Sequence, residues 1–518
     1  MKKIYILITI LAFTAVSCKK SFIDLIPNDS VSPTTFYKTE SDFRQAIAAA
    51  YAPLQDLAVN DYFTSEMRSD NSHYQPYPSN RGTANVQRES ISDWVDDPTN
   101  AYTNAVYFHC YNGISRSNIV IGRLAPVNLA AGVKSDIDGQ AKFLRAWNYF
   151  KLVRLFGAVP LYIKEVTKAE EAFLPRLTVD EVYAQIILDA KDAINELAPP
   201  AKFPQIGQAT KGSATMLLAE VYMTQKKYAE AEILLNTLPA MGYGLNANYA
   251  DAFLTTNKNS KESIFEIQYL QGTDKGTQPS NFIYQFLPRT KNTGIVTTFG
   301  TTVIATDNSG SGGWNTPTQD LISTYEPNDK RLDASIGIAE GAYNTSDLLV
   351  ISANKSVVNY TPAAGKVGVP YIKKYLHSHV VSNNTNDNWP IYRYSDALLL
   401  LAEAQNEQGK SGLALTNLNA VRARAGLTAS TETDPTKLRA IIMHERRVEL
   451  AFENHRWHDL VRTGTAITVM TIYGAKAKTI YSYLPANAFV INANRLLFPI
   501  PQSEKELNPQ LIQNPGYF

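Results

Sequence analysis

The segment from Gln140 to Phe156 is apolar on nearly every face of a helix, because Phe143, Leu144, Trp147, Phe150, Val153 and Phe156 leave no continuous polar stripe. A helix of that kind persists in water only when other elements surround it. Gly157 follows, in the position where helices commonly turn left-handed and stop. The chain must therefore build layers around this segment. With 44% hydrophobic and 19% charged residues in 518, it has the material for a large core. That length allows about three domains or one large body.

Other helices follow from periodicity and caps. Thr39, with Asp42 three residues on, precedes the stripe Phe43, Ala46, Ile47, Ala50, Tyr51 and Leu54. Thr178 and Glu181 open a second helix that Pro199-Pro200 closes. Thr210 to Leu238 reads as a hairpin, with Ala214, Leu217, Leu218, Val221 and Tyr222 on one arm and Tyr228, Ala231, Leu234, Leu235 and Leu238 on the other. A second pair spans Tyr394 to Gly426, and a further helix runs from Asp434-Pro435 to near Gly464. The hairpins resemble tetratricopeptide repeats, whose helix pairs stack because neither face is buried alone. The stretch from Asp61 to Asn100 is loop-rich. Between the hairpins, residues 242–388 mix Gly, Asn, Thr and Ser with short β-prone runs such as Ser263 to Ile267 and Gly294 to Thr302. The expected fold is mainly α, with a helical-hairpin scaffold carrying an irregular, loop and short-strand ligand-binding subregion.

The N-terminus is a targeting signal. Lys2 and Lys3 precede an apolar run of about thirteen residues, where a membrane span needs roughly 20, and Ala15-Val16-Ser17-Cys18 follows. This resembles a bacterial lipobox, in which the thiol of Cys18 is acylated and becomes the new N-terminus, holding the protein on a membrane. Residues 1–17 are then a signal peptide and 18–38 an extended leader containing Pro27 and Pro33. Residues 39–241 form an N-terminal helical region. Residues 242–518 form a C-terminal one, made of the insertion 242–388, helices 390–464 and a terminal segment 465–518. Once Cys18 is lipidated, Cys110 has no disulfide partner.

Several chemistries are disfavoured. A formal net charge of +1 does not suit nucleic acid. The loop Ser309-Gly310-Ser311-Gly312-Gly313-Trp314 lacks the Gly-Lys-Ser/Thr ending of a phosphate cradle. The run His444-Glu445-Arg446-Arg447-Val448 has valine where a zinc protease needs its second histidine, and His455 and His458 with Glu453 lack a further cysteine or histidine cluster, so no metal site is expected, and no cofactor is implied. No Gly-x-Ser-x-Gly elbow is present, and no catalytic residue is assigned. Glu445, Glu449, Arg446, Arg447 and Arg456 alternate in sign at helical spacing, which points to an ion network fixing helix packing. The sharper candidates are Trp94 and Trp314, indoles in polar surroundings where an exposed ring can stack on a sugar. Arg68, Asp70, Asn71, His73 and Tyr74 could bond its hydroxyls.

Taken together, the blocks resemble the SusD/RagB family. They are Phe143 to Trp147 with Gly157 to Leu161, Pro390 to Leu398, Leu418 to Gly426, the Glu445-Arg446-Arg447 helix with His455-Arg456-Trp457, and Leu497 to Pro501 with Asn508-Pro509-Gln510 and Asn514 to Tyr517. The resemblance implies a SusD-like fold and a surface-exposed outer-membrane lipoprotein. It also implies a non-catalytic binder of oligosaccharides partnered with a SusC-like TonB-dependent transporter. A protein- or peptide-binding scaffold and a surface glycoside hydrolase are the alternatives left open.

Overall fold

The computed structural model describes residues 36–76, 82–297 and 312–517. The signal peptide, Cys18, most of the leader, and the stretch Ser309-Gly310-Ser311 lie outside the described residues.

The first helix is two. Helix α1 (Glu40–Tyr51) opens with the reciprocal cap expected of Thr39 and Asp42. Pro53 then takes the first turn of α2 (Pro53–Thr64), where its missing N–H is harmless. The predicted loop-rich stretch holds α3 (Thr83–Ser92). Helices α4 (Ala101–Leu124) and α5 (Ala131–Phe156) follow, and α5 ends at Gly157 with φ 73°. Every residue from Phe143 to Val153 is buried. Helix α6 (Val179–Glu196) carries the Thr178–Glu181 capping box.

Helices α7 (Lys211–Thr224) and α8 (Tyr228–Leu235) make the first hairpin. Helices α9 (Tyr394–Glu407) and α10 (Ser411–Ala425) make the second. Although far apart in sequence, they are neighbours: α4 packs on α5, α5 on α6, α6 on α7, α7 on α8, and α8 on α9, which also meets α10 and α11 (Pro435–Glu449). Each hairpin covers the apolar face that the other leaves open.

The insertion leaves after α8 and returns as an antiparallel pair, β2 (Ser263–Ile267) with β7 (Trp389–Arg393), in the register Ile267 opposite Trp389. Two-residue strands β1 (Ser72–His73) and β3 (Thr316–Pro317) tie it to the N-terminal region. A three-stranded antiparallel sheet, ordered β5 (Leu349–Ser356), β4 (Ile336–Tyr343), β6 (Val367–Ile372), forms its outer part. Residues 294–297, expected as strand, form a single helical turn.

The helix expected to reach Gly464 breaks after α11 and resumes as α12 (Arg456–Arg462), followed by α13 (Ala466–Ile480). Phe452 and Asn454 sit at φ 69° and 66°. The buried Glu66 carboxylate accepts from both their amides at 2.9 and 3.0 Å. A distant acid thus satisfies backbone groups that a continuous helix would have paired internally.

Candidate functional site

The seven residues singled out from sequence converge on the junction of α2, α3, β1 and the insertion, but they lie beneath its surface. Trp94 is 2% exposed and Trp314 0%, so neither indole presents a face to a sugar, and the expectation of exposed rings is corrected. The reason is local. Helix α3 ends in a Schellman turn, with the Val95 amide donating to the Ser90 carbonyl at 2.9 Å. Trp94 holds its left-handed position at φ 65°. The turn swings the indole inward, against Trp457 (centroids 5.3 Å, 83°) and under the Arg68 guanidinium, 4.0 Å from the ring centre. Arg68 is itself buried and donates to Asp96 at 2.5 Å and to the carbonyls of Ile91 and Arg495. Trp314 lies against Phe63, with the guanidiniums of Arg88 and Arg289 each 5.0 Å from its centroid.

Asp70 and Asn71 are framework partners. The Asp70 carboxylate receives the Arg456 fork at 2.8 and 2.9 Å and pairs with Arg447, which also donates to Asn71. Asn71 donates to Glu66 at 2.9 Å. Burial alone would raise the Asp70 carboxyl, but Arg456 and Arg447 outweigh it and hold it below the usual carboxylate range. Glu449 and Glu453 are likewise buried, which opposes ionisation. Arginines 424, 393 and 331 beside Glu449, and Arg393 with Lys374 beside Glu453, nevertheless hold both low. Folded carboxyls with depressed pKa values bind fewer protons than unfolded ones. The stability they supply is full above about pH 4.5 and drains away as acid titrates the folded state. Thermal melting followed from pH 7 to pH 3 is expected to show Tm level down to about pH 5 and falling steeply below pH 4.

His73 and Tyr74 form the floor of a shelf that does reach solvent. Burial lowers the His73 imidazole to about 4, outweighing its contact with the Tyr74 carbonyl, so at neutral pH it is an uncharged plane. It stacks on half-buried Tyr481 (4.7 Å, 24°). Tyr74 donates to Asp93 at 2.8 Å and lies 5.4 Å from half-buried Tyr483. One residue on, Gln75 donates to the Tyr343 hydroxyl at 2.7 Å, and that tyrosine is 48% exposed. Tyr481, Tyr483 and Tyr343 thus flank β1 with their rings partly open. Sequence reasoning missed all three. The signal available was the alternation Tyr481-Ser482-Tyr483, which puts two rings on one side of an extended segment. Such a shelf can stack a ring-shaped ligand and offer phenol and amide groups to its edge.

Among the described residues no group of three His, Cys, Asp or Glu side chains is placed to hold a metal ion. No helix among them is long and apolar enough to cross a membrane. Burial pushes the Cys110 thiol up, which makes it inert.

Two family models match the chain. One, of the SusD family, covers residues 261–517; the other, described as starch-binding and associating with the outer membrane, covers residues 21–223. The chain is 27% identical over 547 residues to SusD-like protein P2 of Formosa agariphila, covering 100% of each. It is 24% identical to the starch-binding protein SusD of Bacteroides thetaiotaomicron, over 83% of this chain and 81% of that one. Among solved structures, a laminarin-binding SusD-like protein superposes with a TM-score of 0.73 at 25% identity, over 93% of this chain and 100% of the other.

Proposed function

Because this chain belongs to the SusD/RagB family, we propose that it binds oligosaccharides on the tyrosine shelf and passes them on unaltered. Cys18 is its lipid anchor on the outer face of the outer membrane, and its partner is a SusC-like TonB-dependent transporter. The observation that carries the reading is the shelf itself: Tyr481 and Tyr483 are half-open rings backed by buried His73 and Tyr74, and exposed Tyr343 is bonded to the next residue, Gln75. Pyranose rings present C–H faces that stack on such planes, and Gln75 with the phenol groups can bond equatorial hydroxyls. Trp94, Trp314, Arg68, Asp70 and Asn71 serve this site from below, by holding the backbone that carries the shelf. Relatives named for starch and for laminarin make glucans the first ligands to try. Nothing in this role breaks a bond, so no acid, base or nucleophile is required of it.

The test is calorimetric titration of the soluble chain beginning after Cys18 with laminarin and starch oligosaccharides. Tyr481→Ala combined with Tyr483→Ala is expected to weaken binding at least tenfold, a loss of about 1.4 kcal/mol or more, with Tm nearly unchanged because both rings are half open. Undiminished affinity in that variant would reject the shelf. Release of shortened products from the incubated polymer would favour the hydrolase alternative instead.

A further inference from the structure

A second set of aromatic walls, sharing no residue with the shelf, lines two adjoining clefts along α4. Their volumes are about 480 and 300 Å³, and they share Tyr111, Tyr162 and Glu504. Cavities of a few hundred cubic ångströms are of the size that holds small ligands. The walls come from α4, from the segment Pro160 to Phe173 and from α14 (Gln502–Leu507). Tyr111 meets Tyr162 edge-on at 5.8 Å and Tyr107 at 4.8 Å. The Tyr111 and Tyr162 hydroxyls donate to the carbonyls of Pro160 and Ala172 at 2.7 and 2.6 Å, which fixes both rings and leaves their oxygens as acceptors. Phe108 and Phe173 lie open, at 59% and 43% exposure.

Glu504 gives the clefts their chemistry. Other carboxylates drawn below the surface meet donors: Glu220 pairs with Arg154 and Glu453 with Lys374, each at 2.6 Å, and Glu66 takes two backbone amides. The Glu504 carboxylate is half-buried, and among the described residues neither a hydrogen bond nor an ion pair takes it up. Burial raises its carboxyl, and no cation offsets the rise. Its charge reaches the phenols of Tyr107 and Tyr162, which burial raises first and Glu504 raises further. A single negative charge among aromatic rings is complementary to an organic cation, because the carboxylate and the ring faces attract it together. The open faces of Phe108 and Phe173 suit a ring-shaped carrier of that cation, since sugar C–H faces stack on such planes.

We propose that the two clefts form a second binding site, selective for amino sugars, which holds the protonated amine at Glu504 and the sugar ring against Phe108 and Phe173. Neutral glucans belong to the shelf, and sugars bearing a free amine belong here. The two sites share no side chain, so each stands or falls alone.

The test uses the full lipidated chain in detergent and three tetrasaccharides of one linkage and shape, built of glucosamine, N-acetylglucosamine or glucose. Calorimetric titration is expected to show the glucosamine oligomer binding about tenfold tighter than the other two, or more. Glu504→Gln keeps the shape and removes the charge, so it should bring the three affinities level while Tm holds. Phe108→Ala removes an exposed ring, leaves the core intact and should weaken the glucosamine oligomer as well. Tyr481→Ala with Tyr483→Ala should leave the preference in place. Equal affinity for the three sugars, no binding of the glucosamine oligomer, a preference that survives Glu504→Gln, or one that disappears with the shelf tyrosines would overturn the site.

Discussion

Arg393→Ala is expected to be among the most destabilising single changes in this protein, at about 3–5 kcal/mol. Arg393 sits where β7 becomes α9, and its side chain is 2% exposed. It donates to Glu262 at 2.9 Å, to Glu449 at 3.0 Å and to both oxygens of Glu453 at 2.7 and 2.9 Å. Arg424 bridges the same Glu262 and Glu449, and Arg331 reaches Glu445 and Glu449. These contacts bind the base of the insertion to α10 and α11. Removing one guanidinium leaves carboxylates desolvated and uncompensated, which is far worse than losing a favourable pair. The matched control is Arg44→Ala. Its partner Asp136 is 37% exposed, and an exposed pair contributes at most about 1 kcal/mol. Urea unfolding of the two variants should separate them by several kcal/mol. Equal losses would mean the buried network contributes no more than a surface pair.

The second large effect falls on Trp94. Truncating a buried indole to alanine removes its transfer energy and leaves a cavity, together about 3–5 kcal/mol. Here it also removes the plane on which buried Arg68 rests. Because Trp94 holds a left-handed backbone, Trp94→Gly is expected to be less damaging than Trp94→Ala by about 1 kcal/mol, the reverse of the order seen inside helices. Urea midpoints of the pair read this directly. If alanine proves the milder change, the left-handed turn does not persist in solution. Glycan affinity of whatever fraction remains folded should change little, which distinguishes a supporting role from a contact role.

Much of the frame was legible in the residues. The caps at Thr39 and Thr178 and the stop at Gly157 are local chemistry, and each works in the structure as its spacing implies. The sign alternation around Glu445 to Arg456 correctly indicated a packing network, although its members pair with distant residues such as Arg331, Asp396 and Asp70 and not with one another. The break at Phe452 to Asn454 was not legible. Its cause is Glu66, hundreds of residues away, accepting from backbone amides.

The candidate site was legible by region and not by residue. Trp94, Trp314 and the stretch from Arg68 to Tyr74 do gather at one junction. Polar neighbours in sequence suggested open indoles, yet a left-handed turn at Trp94 and two guanidiniums over Trp314 close them off. The shelf tyrosines come from the insertion and from the segment after α13, which only the β1–β3 pairing and the packing of His73 bring together. By itself, then, the amino-acid order determined most of the helices, several of their caps and the family, since each depends on neighbours within a few turns or on an overall pattern. Which aromatic rings meet water was decided by the tertiary structure alone, because burial is set by what arrives from elsewhere in the chain.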